Sequence, residues 1–428
     1  MTIYVVQPGD TVDSIAEQFG ISIAKLIGDN DLEDLENLVV GQALVIVYPE
    51  QTYMVQEGDT LAGIADAHGI TLIQLLRNNP ELSDRDFIYA GETLIISYGN
   101  KIGSMATNGF AYPFIDRATL RKTLPFLTYL TIFNYRATEE GDLIDIEDEE
   151  VIQLAKDYGV APVMLISTLS YQGADSIDVA YSILSNPAVQ DRLITNILNT
   201  LKTKGYYAVD IYIQYINPEN RNLVENYIVN LTTRLNNEGY PVIVTLTPTT
   251  FTGEIINIDY TIIGQAANSI LLLSYEWGFS YGPPASVTPI STARALLDYA
   301  VTQVPPEKIY FGIPIIGYDW QLPYIPGVSR ANSLSTNAAV RLASEVGATI
   351  QYDETIQAPY YYYVSYDDGV PSYHVVWFKD ARRIDVLLAL VPEYGFQGVA
   401  IWNIMQYYSQ LWLLVNSQYE IETVPNLT

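Results

Sequence analysis

The sequence predicts an α/β protein, with two N-terminal βααβ modules at 2–48 and 52–98 followed by a (β/α)8 barrel over 113–428. Three observations predict it. The N-terminal quarter repeats itself at a shift of 49 residues. Behind it, eight short apolar runs alternate with helical periods. One tyrosine-rich stretch is too strand-like for that alternation, so it reads as a small hairpin insertion, about 355–380, between the seventh and eighth strands.

The repeat sets "YVVQPGDTVDSIAEQFGISIAKLIGDNDL" (4–32) against "YMVQEGDTLAGIADAHGITLIQLLRNNPEL" (53–82). In each copy an alternating strand runs into Gly-Asp-Thr, where Asp10 or Asp59 can cap a helix. Val12, Ile15, Ala16 and Phe19 then mark one helical face. A second short helix ends near Asn30 or Asn79, and "LVVGQALVIV" (38–47) or "IYAGETLIIS" (88–97) returns as a strand.

Residues 99–112, with glycine and small polar residues, read as a linker. The strand runs expected beyond it are 126–135, 162–168, 206–215, 242–248, 269–277, 309–318, 349–354 and 398–404. The segment "PYYYYVSYDDGVPSYHVVWF" (359–378) is the hairpin. Helices such as 191–205 and 221–239 end in glycine, the usual C-terminal stop. In such barrels functional groups sit at the C-terminal strand ends. That directs attention to Tyr212 and Gln214, Tyr275 to Trp277, Tyr318, Trp320 and Trp402, whose aromatics would form a sugar platform. Strand alternation places Asp210, Tyr212 and Gln214 on one side, facing the barrel axis.

Composition narrows the function. A net charge of −28 argues against nucleic acid and against an anionic membrane surface. The absence of cysteine removes disulfides and thiolate metal sites. The two histidines, His68 and His374, are far apart, so neither serine–histidine chemistry nor a histidine-rich metal centre is expected. No cofactor is implied. The acid run "EEGDLIDIEDEEV" (139–151) reads as a solvated loop and helix start. The 35 tyrosines offer flat apolar area with a polar tip, which suits sugar stacking and protein contact alike. Apolar runs such as 269–277 are too short for a membrane span. The opening "MTIYVVQPGD" lacks the marks of a signal peptide, so synthesis in the cytoplasm of the producing cell is expected.

The βααβ repeat resembles the LysM module, which binds N-acetylglucosamine-containing glycans such as peptidoglycan and chitin. The resemblance implies a shallow glycan groove between two loops. It would involve Gly9, Asp10, Thr11 and Asn30 in the first copy, and Gly58, Asp59, Thr60, Asn78 and Asn79 in the second. Asp10 and Asp59 can serve as helix caps at the same time.

Two such copies before this TIM-type barrel resemble the spore cortex-fragment-lytic enzymes of glycoside hydrolase family 18. The resemblance rests on "LPFLTYLTIFNY" (124–135), "INPENR" (216–221), "SYEWGFSYGPPASVTPI" (274–290), "GYDWQLPY" (317–324), "VWFKDARR" (376–383) and "GVAIWNI" (398–404). It implies a spore location in cortex, coat or an associated structure. It also implies an Asp-x-Glu pair at the end of the third strand, the glutamate protonating the glycosidic oxygen and the aspartate orienting the substrate's N-acetyl group. Here Tyr212 stands at the aspartate position and Gln214 at the glutamate position. A glutamine amide has no acidic proton to give. General acid catalysis is commonly worth about 10² to 10⁴ in rate, so its loss alone would cripple hydrolysis. Asp210 and Glu276 are the weak candidates for a replacement acid. Asp210 reads otherwise as a polar group satisfied inside the barrel, Glu276 as a retained sugar contact and Asp319 as a structural partner. Tyr275 and Trp402 match the family's sugar site but suit barrel core equally well.

Three functions fit this reading. The chain is a non-hydrolytic protein binding peptidoglycan or chitin-like glycans, a self-associating structural spore or parasporal protein, or an active N-acetylglucosaminidase with a rearranged acid.

Overall fold

The computed structural model describes residues 1–33, 38–83, 85, 87–167, 177–213, 219–247, 259–273, 280–287, 289–367, 369–425 and 427. In the first module, strand Thr2–Val5 pairs antiparallel with Ala43–Ile46 around helices Val12–Phe19 and Ile23–Asn30. In the second, Pro49–Met54 pairs with Thr93–Tyr98 around Leu61–His68 and Leu72–Asn78. Each module encloses its own small apolar core, built on Ile15, Leu26 and Leu44 in one and Ile64, Leu75 and Leu94 in the other.

Eight parallel strands then close into a barrel. In chain order they are Gly103–Ala111, Tyr129–Ala137, Ala161–Ser167, Ala208–Ile213, Val242–Leu246, Ser269–Leu273, Ile309–Pro314 and Gly398–Trp402. The stretch expected as a linker therefore contains the first barrel strand. Its small and polar residues misled because this strand is buried on both faces. Thr107 and Asn108 are paired inside, with Thr131 Oγ1 donating to Asn108 Oδ1 at 2.9 Å. A Cβ on Gly109 would meet Ile404 and Leu127 at 3.0 Å.

The count shifts by one as a result. The strand leading to Tyr212 is the fourth, not the third. The run 309–318 supplies the seventh barrel strand, not the sixth, and then crosses into the insertion. The run 349–354, expected in the barrel, contributes only Gln351–Asp353, an edge strand of the insertion. The insertion itself is more than a hairpin at about 355–380. It is a five-stranded antiparallel sheet running from Gly317 to Trp377. Helix Thr336–Glu345 covers one face, where Ala339 and Ala343 meet Tyr361 and Val376.

The C-terminal helix Ser409–Gln418 has Ser409 to Asn416 buried on every side, as expected of a helix enclosed by neighbours. Both modules rest on it. Gln410 Nε2 donates to Asn30 Oδ1 (3.0 Å) and Ala43 O (2.8 Å), and Asn416 Nδ2 donates to Asn78 Oδ1 (2.9 Å). Arg77 Nε adds a 2.6 Å bond to Pro125 O.

Candidate functional site

The fourth strand carries its side chains as pleating dictates. Val209 and Ile211 point outward into the strand–helix core, whereas Ala208 and Tyr212 join the apolar cluster inside the barrel. Asp210 lies between them, fully buried. The Thr245 hydroxyl on the fifth strand lies 2.8 Å from each of its carboxylate oxygens. Burial pushes the Asp210 carboxyl up to about 7, an effect that the bond from Thr245 only partly offsets. Asp210 thus sits one step deeper than Tyr212, against the barrel wall. Gln214 lies outside the described residues, as do Tyr275, Glu276 and Trp277.

Trp402 ends the eighth strand, half-buried at the mouth. Its ring meets Phe133 edge-on at 5.1 Å, Phe110 at 5.5 Å and Tyr112 at 6.4 Å. Phe114, widely exposed, stacks on Tyr112 at 5.2 Å. This aromatic cluster was legible only in part. Phe110 and Tyr112 lie inside the segment read as a linker and Phe114 just after it, although the alternation Ala106, Asn108, Phe110 was the available signal. Beside it, a pocket of about 300 Å³ opens between the loop after the eighth strand and the insertion, lined by Trp402, Asn403, Gln406, Tyr407, Ser333 and Asn337 among others.

Tyr318 and Trp320, expected at the mouth, belong to the inserted sheet instead. Trp320 is buried in that sheet's own core with Ala331, Ala358 and Val375, and its Nε1 donates to Gly282 O at 3.1 Å. Tyr318 leans on Trp320 at 5.5 Å. The chain leaves the barrel at Pro314, so both fall beyond the strand end.

In the modules the helix caps are Thr11 and Thr60, not Asp10 and Asp59. Thr11 accepts from Ser14 N (3.0 Å) and Thr60 from Gly63 N (3.1 Å). Asp10 instead braces the preceding turn, accepting from Tyr4 OH (2.6 Å) and Gln7 N (2.7 Å). Asp59 repeats this with Tyr53 OH and Gln56 N. Gly9 and Gly58 supply the positive φ, 91° and 90°, that the turn requires.

Asn30 and Asn79, expected to face a glycan, are buried. Asn30 donates to Leu26 O and Val45 O and accepts from Val45 N, stitching helix to strand. Asn79 does the same with Leu75 O, Ile95 O and Ile95 N. Asn78 donates to Ile96 O and accepts from Asn416. A buried amide needs such partners, so these positions turned inward rather than outward. The second module exposes an aromatic pair that sequence reasoning missed, Phe87 and Tyr89, with ring centroids 5.2 Å apart.

Comparison with known proteins fits this architecture. The family profile "Glycosyl hydrolases family 18" matches residues 165–406, and "LysM domain" matches 4–47 and 53–97. The chain is 34% identical to the cortical fragment-lytic enzyme of Bacillus anthracis, with 98% of each covered. It is 32% identical to that of Bacillus subtilis, covering 98% of this chain and 99% of the relative. The crystal structure of the Bacillus cereus spore cortex-lytic enzyme SleL superposes with a TM-score of 0.80 at 32% identity, over 99% of both chains.

Proposed function

The chain belongs to glycosyl hydrolases family 18, joined here to two LysM domains, and from that premise we propose a spore-associated protein that holds N-acetylglucosamine-containing glycans without cleaving them. One observation carries the proposal: the strand that would present a general acid reads Asp210-Ile211-Tyr212-Ile213-Gln214. Tyr212 and Gln214 are the degenerate pair: Gln214, at the acid's position, has no acidic proton to give, and Tyr212 removes the carboxylate that would orient the N-acetyl group. Asp210 is a poor replacement, because it is fully buried and held by Thr245.

Binding then falls to the modules, through the turns Gly9 to Thr11 and Gly58 to Thr60. The second module has the better surface, since the exposed rings of Phe87 and Tyr89 suit the apolar face of an aminosugar. Trp402 and Tyr112 give the barrel mouth a stacking surface of its own. The LysM and family 18 matches support an acetylated aminosugar polymer as the ligand, and the net charge of −28 favours one without negative charge.

The test is a pull-down on insoluble peptidoglycan and chitin, run beside an assay for soluble sugar. Retention on the solid with no released sugar is expected. Release that Asp210→Asn or Glu276→Gln abolishes would overturn the non-hydrolytic reading, and failure to bind either polymer would overturn the glycan reading.

A second reading has its own support. Tyr362, Val364, Tyr366 and Tyr373 line one exposed face of the inserted sheet, an apolar strip suited to self-association. Sedimentation across concentration tests it: a monomer at all concentrations would remove it.

A further inference from the structure

On the opposite face of the inserted sheet, three strands bring together a serine, a histidine and an aspartate. Ser365 Oγ lies 3.1 Å from His374 Nε2, and His374 Nδ1 lies 3.0 Å from Asp319 Oδ1. Pleating puts them on one side. Tyr363 and Ser365 stand across from His374 and Ser372, while Gln321 stands across from His374 on the other flank.

The hydrogen-bond network assigns the tautomer. A carboxylate can only accept, so His374 carries its proton on Nδ1, toward Asp319. That leaves the Nε2 lone pair for the Ser365 hydroxyl. Tyr363 locks the arrangement twice: its hydroxyl donates to Asp319 Oδ2 at 2.8 Å, and its ring stacks on the imidazole at 4.5 Å. Burial and the Asp319 charge push the Tyr363 hydroxyl well up, so it remains a donor. Asp319 and His374 are largely shielded, with side chains 8% and 14% exposed.

The expectation against serine–histidine chemistry rested on the distance between the two histidines. A triad needs only one histidine, placed by tertiary structure between a nucleophile and an orienting acid.

We propose that Ser365, His374 and Asp319 form an acyl-transfer site that removes small carboxylic esters. Ser365 Oγ attacks the ester carbonyl carbon as its proton passes to His374 Nε2, and the carbonyl electron pair moves onto oxygen. The Ser372 hydroxyl, held by Gln321 Nε2 at 3.2 Å, stands directly across from Ser365 and is free to donate to that oxygen. Collapse breaks the bond to the alcohol, which leaves with the proton from His374. Water then attacks the acyl-serine by the same route, giving the carboxylic acid and restoring Ser365.

The site selects its substrate by chemistry. Its oxygen-binding donor is a single side-chain hydroxyl, weaker than a preformed pair of backbone amides, which favours labile esters over amides. The net charge of −28 disfavours anionic esters. An acetyl ester on a sugar hydroxyl fits, a choice of alcohol that rests on the glycan-binding reading; the triad chemistry does not.

The full-length protein is treated with a fluorophosphonate probe and, separately, with p-nitrophenyl acetate. A covalent adduct mapping to Ser365 is expected. Ser365→Ala should abolish it and lower kcat/KM by about 10² to 10⁴, with His374→Gln close behind. Asp319→Asn should lower the rate while leaving Ser365 in place, the mark of a positioning residue. A Ser365→Ala variant with wild-type circular dichroism and an unchanged rate would overturn the proposal. So would an adduct indifferent to His374→Gln. Glycan pull-down by Ser365→Ala should remain at the wild-type level, so failure of the two readings is distinguishable.

Discussion

The two modules share one local plan and have met different fates. Asp10 and Asp59 brace the same turn, Thr11 and Thr60 cap the same helix, and Asn30 and Asn79 stitch the same helix to the same strand. They part at the loop before the closing strand. In the first module this loop docks on the insertion. Val39 is 6% exposed among Ala339, Ala343, Ile350 and Phe378. Ile350 N donates to Val40 O at 2.9 Å, and Arg382 Nη2 to Gly41 O at 3.2 Å. In the second module the matching residue, Tyr89, is 59% exposed. The same loop serves as internal mortar in one copy and as free surface in the other. Repeat sequences can thus specify one fold while neighbours decide which copy meets a partner.

The sharpest way to break this comparison is the matched glycine pair. Gly41 and Gly91 have φ of 87° and 92°, so a side chain strains both alike. At Gly41, however, a Cβ would stand 1.8 Å from Ile350 O, whereas Gly91 has nothing within 4 Å. Gly41→Ala should cost about 4 kcal/mol in denaturant unfolding and Gly91→Ala about 1–2. Equal losses would mean the first module is not docked.

The docked side also conceals a buried cation. Lys379 sits between Phe378 and Asp380, which line the crevice against the first module. Its Nζ has no hydrogen-bond partner among the described residues, and burial, aided by Arg383, holds its ammonium well below the usual lysine range. The unfolded chain then binds more protons than the native one, so stability rises with pH up to the ordinary lysine range near 10.4. Lys379→Met should stabilise the protein by about 2–3 kcal/mol at neutral pH and flatten that rise, as read from unfolding midpoints between pH 7 and 10.

Tyr89→Ala probes the free side. Glycan retention should fall about tenfold, or about 1.4 kcal/mol, with little change in melting temperature. Val39→Ala should do the reverse, costing about 1–2 kcal/mol of stability and leaving retention intact. The smallest effects are expected where the modules agree. Thr11→Ala and Thr60→Ala should each cost about 1 kcal/mol, and a large inequality would show that the shared plan is less shared than its hydrogen bonds.

The legible parts of this protein are those whose reasons are local. The turn–cap–helix motif at Gly-Asp-Thr announces each module, although threonine rather than aspartate takes the cap. Val209 and Ile211, set against Asp210 and Tyr212, announce a strand facing two environments. The misreadings share one cause. Gly103 to Ala111 looks like a linker because a barrel's inner wall can be lined by small and polar groups, and only the surrounding strands make that a buried place. Trp320 looks like a platform because an aromatic after a strand is ambiguous until its neighbours are known.

The sequence by itself determined the two repeated modules, the succession of parallel strands and the presence of a glutamine at position 214, because each depends on residue type and short-range order. Tertiary structure alone decided which strand is the barrel's first, which module keeps a free loop, and that Ser365, His374 and Asp319 meet. Those depend on contacts between residues dozens to hundreds of positions apart, where burial and hydrogen-bond partners come from elsewhere in the chain.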